Sequence, residues 1–355
     1  MLHVMADVST LCATSQTGVG TYVRELYRAI SQNHEVRLNF VYSLSRLKNK
    51  SFRFIPSIGQ QKTSPRWPFL SDMMAAKATV YHGPDFKIPF GVLGPKVVTI
   101  HDLACYREDF MANHFAQKVR RNIENSLKRA PDAIIVSTAF VASEVSERFP
   151  AVANRVFVTP FGSEHLMSQS PEARFQMPWP FFLVVGHVEI RKNLLNTVKA
   201  FEIFCEKNLE HRLVIVGKKG FRGQEILDEI SKSPCKDRII LRDFIAPTEL
   251  ISLYKMATAL LFVSYYEGFG FPALEAMNFG CPVIVSSGGA LQEITGESSL
   301  KANPFEIDSI CDKMMTIVHD PKIVSHLREQ GFKRVRDFSW NVCAQQTIDI
   351  YKTIT

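Results

Sequence analysis

Tyr265-Tyr266-Glu267-Gly268-Phe269-Gly270-Phe271-Pro272-Ala273-Leu274-Glu275-Ala276-Met277 decides how this chain folds. The run ahead of it, Ala259-Leu260-Leu261-Phe262-Val263-Ser264, is apolar and of the length expected of a buried strand. Behind it, Ala273 to Phe279 reads as the start of a helix, with Pro272 near its first turn. Gly268 and Gly270 allow tight backbone turns in between. One carboxylate, Glu267, therefore stands at the carboxyl end of a strand, and a second, Glu275, lies in the first turns of the next helix. Open α/β sheets bind ligands at that edge. The N–H groups of a helix N-terminus suit a phosphate there.

Working outward, the same grammar repeats in both halves. Short apolar runs at residues 2–8, 36–42, 80–84, 96–100, 131–138 and 156–163 alternate with helical periodicity, and so do runs at 181–186, 212–216, 239–241 and 283–287. That alternation predicts two doubly wound α/β domains whose strand–helix loops face a shared cleft. Polar residues collect just past the strands. Gly18-Val19-Gly20 follows the first strand, although a Gly-x-Gly also serves as a plain tight turn. His101-Asp102 follows Lys96–Ile100. His187-Val188-Glu189-Ile190-Arg191-Lys192-Asn193 opens a helix running from Leu194. Two cations at a helix mouth suit a leaving diphosphate; the bland alternative is a capping Asn193 beside two solvated bases. Residues 46–66 read as a partly mobile loop near the acceptor side, and Ser168 to Pro180, with three prolines, as an interdomain linker.

A length of 355 residues predicts about two domains. The composition, 46% hydrophobic and 22% charged, is that of a globular chain with an ample core. No apolar run reaches the ~18 residues of a membrane span. The N-terminus reads as a first strand, not a signal peptide, so a cytoplasmic protein is expected. Seven singly scattered cysteines argue against a disulfide framework and a zinc site. The formal charge of +7 suits anionic partners. Lys118-Val119-Arg120-Arg121 and Lys128-Arg129 fall on one predicted helix, either as a solvated face or as a patch for an anionic membrane.

The Glu-x7-Glu spacing within Glu-Gly-Phe-Gly-Phe-Pro-Ala-Leu-Glu-Ala-Met, followed by Gly280-Cys281-Pro282-Val283-Ile284, resembles the donor-site signature of retaining glycosyltransferases. The resemblance is to the two-domain GT-B architecture, and most of all to the large bacterial family 4. It covers nearly the whole chain and is thinnest between 44 and 78. It implies an acceptor-side Rossmann-like domain over residues 1–167 and a nucleotide-sugar-binding one over 168–338, with a final helix over 339–355 packing back on the first. It also implies site residues. Gly18 and Gly20 resemble the loop that faces the donor phosphates. His101 resembles the family's His-Asp-Leu histidine, close to donor sugar and acceptor, with a positioning role. Arg191 and Lys192 resemble the diphosphate clamp, joined by His187 and Lys218. The loop at Phe244 and Ile245 holds the nucleobase, although Asp243 replaces a more usual glycine. Glu275 accepts from the ribose hydroxyls. Glu267 contacts the donor sugar, helped by the backbone of Gly268, Phe269, Gly270 and the adjoining Phe271. His101, Glu267 and Lys192 form the catalytic set. Phe161 stands where the family usually carries Asn.

The implied reaction moves a hexose from a nucleotide donor onto a glycan or polyprenyl-diphosphate-linked acceptor. No Asp-x-Asp pair occurs in the chain, so cations are expected to take the place of a metal, and no cofactor is expected. Members of closest appearance favour mannose from GDP-mannose, in O-antigen and polysaccharide assembly at the inner membrane; UDP-sugars are the alternative. The leaving phosphate oxygen takes the acceptor proton in the usual front-face proposal. A non-catalytic relative would be expected to have lost these acids and bases. A phosphorylase would need a lysine anchoring pyridoxal phosphate, which no motif suggests. Nucleic acid is not an expected partner.

Overall fold

Parallel strands buried on both faces make the frame. The computed structural model describes residues 1–12, 17–43, 63–66, 80–111, 114–172, 176–207 and 210–355. In these, β1 (Leu2–Asp7), β2 (Val36–Ser43), β3 (Thr63–Arg66), β4 (Val80–Gly83), β5 (Lys96–Thr99), β6 (Ala133–Val136) and β7 (Val156–Val158) form one sheet in the order β3-β2-β1-β4-β5-β6-β7. A second sheet joins β8 (Phe181–Val185), β9 (Arg212–Val216), β10 (Ile239–Arg242), β11 (Ala259–Phe262), β12 (Val283–Ser286) and β13 (Leu300–Ala302) in the order β10-β9-β8-β11-β12-β13. Every paired neighbour is parallel. Helices cover the faces, so strands such as Phe181-Phe182-Leu183-Val184-Val185 read as continuous apolar runs and not as alternation.

The strand order reverses twice. The chain leaves β1 toward β2 and β3, then returns to β4 on the other side; it leaves β8 toward β9 and β10, then returns to β11. Val4 accordingly pairs with both Leu38 and Val80, and Leu260 with both Leu183 and Val283. At such switch points the loops past two neighbouring strands splay apart and leave room for a ligand. In the second sheet those loops are Gly186–Asn193 and Val263–Gly270, which contain the two motifs singled out above.

The chain divides into two units. The first combines Met1–Arg107, His114–His165 and Phe338–Thr355; the second is mainly Leu166–Asp337. The last helix, Trp340–Thr353, is anchored in the first unit. Its Tyr351 hydroxyl lies 2.6 Å from Nδ1 of the buried His82, whose Nε2 lies 2.9 Å from Thr99 Oγ1. The Trp340 N–H donates to Glu164 Oε1 at 2.8 Å, and a Cβ on Gly162 would strike the Trp340 ring at 2.4 Å. The second unit closes over Phe182, Phe201 and Phe204, all fully buried, each contributing about 1.5–3 kcal/mol.

Three expectations change. The short helix Glu108–Met111 clusters with the second unit, although it falls within the 1–167 expected for the first domain. Its Phe110 ring stacks on Tyr265 at 5.4 Å, a contact invisible to local sequence. The expected linker clusters with the second unit, where the Glu172 N–H donates to Thr248 O and Ser252 Oγ. Within the expected mobile loop over 46–66, Thr63–Arg66 is β3, paired to β2. The rest of that stretch lies outside the described residues.

Candidate active site

Glu267 is the centre of the site. It follows β11, and its carboxylate lies against the loop that follows β8. Arg191 Nη1 donates to Glu267 Oε2 at 2.7 Å, and Lys192 Nζ donates to Glu267 Oε1 at 2.5 Å. The loops are also pinned through the main chain, because the Tyr265 N–H donates to Arg191 O at 2.9 Å. Asn193 makes this possible. It takes the left-handed conformation (φ 57°) that ends the short turn Ile190–Lys192. Its Nδ2 donates to Val263 O at 2.9 Å and Pro304 O at 2.7 Å, holding both loops from beneath.

These charges are not solvated. The side chains of Glu267, Lys192 and Arg191 are 9%, 12% and 16% exposed. That removes the bland alternative of two water-washed bases beside a cap. Burial alone would raise the Glu267 pKa, but the Arg191 and Lys192 charges and the Lys192 hydrogen bond outweigh it and hold the carboxyl at about 2. Burial draws the Lys192 ammonium down from its ordinary value, opposed by Glu267. A carboxylate at about 2 is a poor proton acceptor at neutral pH, since an efficient general base titrates near the working pH. It remains acceptor-only, with lone pairs for two vicinal hydroxyls.

Glycines set the close approach. Gly186, which follows β8, has φ 144°, and a Cβ there would meet Lys192 Cε at 3.1 Å. Gly270 has φ 121°, and a Cβ would meet Leu291 Cδ2 at 2.6 Å. It leads directly into the helix Phe271–Asn278, whose Pro272 lies in the first turn. Glu275, on that helix, is buried, and Tyr254 Oη donates to its Oε2 at 2.8 Å. Burial pushes the Tyr254 pKa well above its ordinary value, so that hydroxyl stays a donor.

Around this centre the remaining predicted residues are distributed as follows. His187 and Lys218 are exposed, and the Val188 N–H donates to Lys218 O at 2.9 Å, tying their loops together. Lys218 Nζ lies 5.2 Å from the Phe244 ring, which is 59% exposed; Ile245 is half-buried beside it. Gly268 and Phe269 are buried, and the Phe269 and Phe271 rings meet edge-on at 5.2 Å.

Gly18, Gly20 and His101 belong to the first unit. Gly18 and Gly20 lie in the first turn of the helix Gly18–Ile30, capped by Thr17, whose Oγ1 accepts from the Gly20 N–H at 3.1 Å. His101 is buried and donates from Nε2 to Pro84 O at 2.8 Å, which leaves Nδ1 as the acceptor of the neutral ring. Burial lowers its pKa. Phe161 is 2% exposed and packs on Tyr22 and His101 at 4.3 and 5.7 Å. Its replacement of the family's Asn therefore puts an apolar wall there.

Residues 169–334 match the model of the family described as glycosyl transferases group 1. Residues 169–334 thus form a group 1 glycosyl transferase domain, within a chain of the GT-B fold. Over 95% of its length this hexosyltransferase is 26% identical to the O-antigen chain mannosyltransferase B of Escherichia coli, covering 96% of that protein. It is also 26% identical over 63% of its length to the MMP alpha-(1->4)-mannosyltransferase of Mycolicibacterium hassiacum, covering 54% of it. Among solved structures it resembles HepE of Anabaena in complex with UDP-glucose, at TM-score 0.78 and 14% identity, over 99% of both chains.

Sequence reasoning missed three side chains of this transferase's site: Tyr254, Glu189 and Asn196. Tyr254 lies 21 positions before its partner, on a different helix. Asn196 donates to Tyr265 Oη at 2.9 Å and to Pro304 O at 3.1 Å. Glu189 had a visible signal, a carboxylate two positions before Arg191 in the same loop.

Proposed function

We propose that this glycosyltransferase moves mannose from GDP-mannose, with retention, onto a glycan or polyprenyl-diphosphate-linked acceptor in cell-surface polysaccharide assembly. The mannosyltransferase names of its relatives support the sugar. The observation that carries the donor site is the buried Lys192–Glu267 pair at the β8/β11 switch point. In this reading Lys192 faces the leaving diphosphate as a fixed cation in a water-poor site, where charge stabilisation is strongest. Glu267 holds the sugar hydroxyls, Glu275 the ribose, and the exposed Phe244 face with Lys218 the base side. Gly18, Gly20, His101, His187 and Ile245 keep the roles their motifs imply, and the backbone of Gly268, Phe269, Gly270 and Phe271 lines the sugar. No metal or cofactor takes part, and no side chain is assigned as general base.

The test is a thermal shift with GDP-mannose, GDP, UDP-glucose and ADP-glucose, each titrated into the protein with and without EDTA. A ligand that binds the folded state raises the melting temperature. GDP-mannose should raise it most, EDTA should change nothing, and Lys192→Ala should lose transfer far more than stability. A shift with UDP-glucose and none with GDP-mannose would overturn the donor assignment.

We also propose that the protein works at the cytoplasmic side of an anionic membrane. The helix His114–Lys128 exposes Lys118, Arg121 and Lys128 along one face, with Phe115 62% exposed at its start. Next to its far end a loop carries Phe90 and Leu93, 89% and 59% exposed. That loop is fastened to the helix by the Ile88 N–H donating to Ser126 Oγ at 2.7 Å and by Arg129 donating to Ile88 O. Basic residues near an anionic bilayer contribute about 1 kcal/mol each. Sedimentation with phosphatidylglycerol vesicles should fall on Lys118→Glu/Arg121→Glu, and equal binding to neutral phosphatidylcholine would refute the surface.

A further inference from the structure

Arg191 is the most heavily engaged side chain of the site. Its Nε and Nη2 donate to Glu189 Oε1 at 3.1 and 2.8 Å, and its Nη1 donates to Glu267 Oε2 at 2.7 Å and Tyr266 O at 3.1 Å. A guanidinium has five N–H groups in a fixed planar fork. Here both edges of the fork are taken by protein, one by each carboxylate. Glu189 is itself buried, at 9% exposure, and the neighbouring loop passes so close that a Cβ on Gly220 would lie 3.1 Å from its Oε2. The four charges alternate, Glu189–Arg191–Glu267–Lys192, and sum to zero.

Lys192 differs. Its Nζ carries three N–H groups, and it bonds Glu267 through one contact at 2.5 Å, with the Phe262 ring 4.7 Å away. A diphosphate oxygen approaching Lys192 adds an acceptor to an ammonium with donors to give. At Arg191 four of the five N–H groups are already given to protein acceptors, so a diphosphate that engages it through two N–H groups must displace one of them, and breaking a nearly buried ion pair is strongly unfavourable.

Resting on the reading of Glu267 as the acid that faces the donor sugar, we infer that Glu189 and Arg191 form a brace that fixes the Glu267 carboxylate, and that Arg191 does not itself neutralise the leaving diphosphate. Glu189 is then a positioning residue acting through Arg191. The brace orients the plane of Glu267, so that its lone pairs meet the sugar hydroxyls in one geometry. Lys192 carries the phosphate charge.

Calorimetric affinities for GDP-mannose and for GDP test this division in the full-length protein and in Glu189→Gln, Arg191→Lys and Lys192→Gln. GDP lacks the sugar, so its binding does not pass through Glu267. Glu189→Gln should weaken GDP-mannose tenfold or more and leave GDP within about twofold. Arg191→Lys keeps the charge but cannot span both carboxylates, and should show the same pattern; it also serves if Glu189→Gln does not fold. Lys192→Gln should weaken both ligands together. A parallel loss of GDP and GDP-mannose in Glu189→Gln or Arg191→Lys would overturn the brace, and so would no loss of either. If the wild type binds UDP-glucose instead, the same comparison with UDP and UDP-glucose tests the brace while the guanosine assignment falls. Wild-type protein that binds no sugar nucleotide would end both readings.

Discussion

Replacing Glu267 by Gln keeps the shape of the side chain and removes its charge. One of Arg191 and Lys192 then meets the amide's carbonyl oxygen, and the other faces its nitrogen. In the folded protein the carboxyl titrates at about 2 against an ordinary 4.5. At 1.36 kcal/mol per pH unit, that gap corresponds to about 3 kcal/mol of preference for the charged form. Removing one partner of a buried pair costs a similar ~3–5 kcal/mol. The sign follows from linkage. The folded value is depressed, so the contribution is fully present above pH 4.5 and is lost as pH falls toward 2. Urea denaturation of wild type and Glu267→Gln should therefore differ by about 3 kcal/mol at pH 7. The difference should narrow by about 1.4 kcal/mol per pH unit below 4.5. Because the two units need not unfold together, hydrogen exchange of the peptide over Ala259–Glu267 localises the loss. A difference under about 1 kcal/mol at pH 7, or one that does not change down to pH 3.5, would refute a buried, ion-paired carboxylate.

Tyr254→Phe removes the 2.8 Å donor to Glu275 and should cost about 2 kcal/mol in urea, with weaker binding of free GDP. Gly270→Ala places a Cβ 2.6 Å from Leu291 Cδ2 at a backbone φ of 121°, and strain plus overpacking should cost about 2–4 kcal/mol by the same measurement. Burial lowers the His82 pKa to about 3. The unfolded chain binds that proton first as pH falls below 6.5, so the first unit should lose about 1.4 kcal/mol per pH unit between 6.5 and 3. His82→Gln should flatten that slope.

What the sequence made legible was local. Each strand of the second sheet except β13, Leu300-Lys301-Ala302, announces itself as an apolar run, and the acids and bases that matter stand within a few residues of a strand's end. Glu267 and Lys192 could be picked out because strand, glycine turn and helix are contiguous around each. Their partnership could not, because 75 residues separate them and only the β8–β11 pairing brings them together. Reading Arg191 as a phosphate contact follows from a cation at a helix mouth; its bonds to Glu189, two positions away, depend on the conformation of the loop, which composition alone does not specify. The proline-rich stretch after Ser168 reads as a linker because prolines mark loops, but the Glu172 N–H ties it to Thr248 and Ser252 of the helix Pro247–Met256. Thr63–Arg66 has no apolar pattern at all and becomes a strand only because β2 presents an edge to it.

The first unit closes only with Phe338–Thr355, which follow the whole of the second unit along the chain. A ribosome therefore delivers the whole of the second unit while the first still lacks a helix. At about 5–20 residues per second, the nascent first unit waits roughly ten to thirty seconds with the seat of Tyr351 empty. Maturation thus runs against the direction of synthesis: the half begun first is completed second, and loss of the helix Trp340–Thr353 injures the beginning of the protein more than its middle.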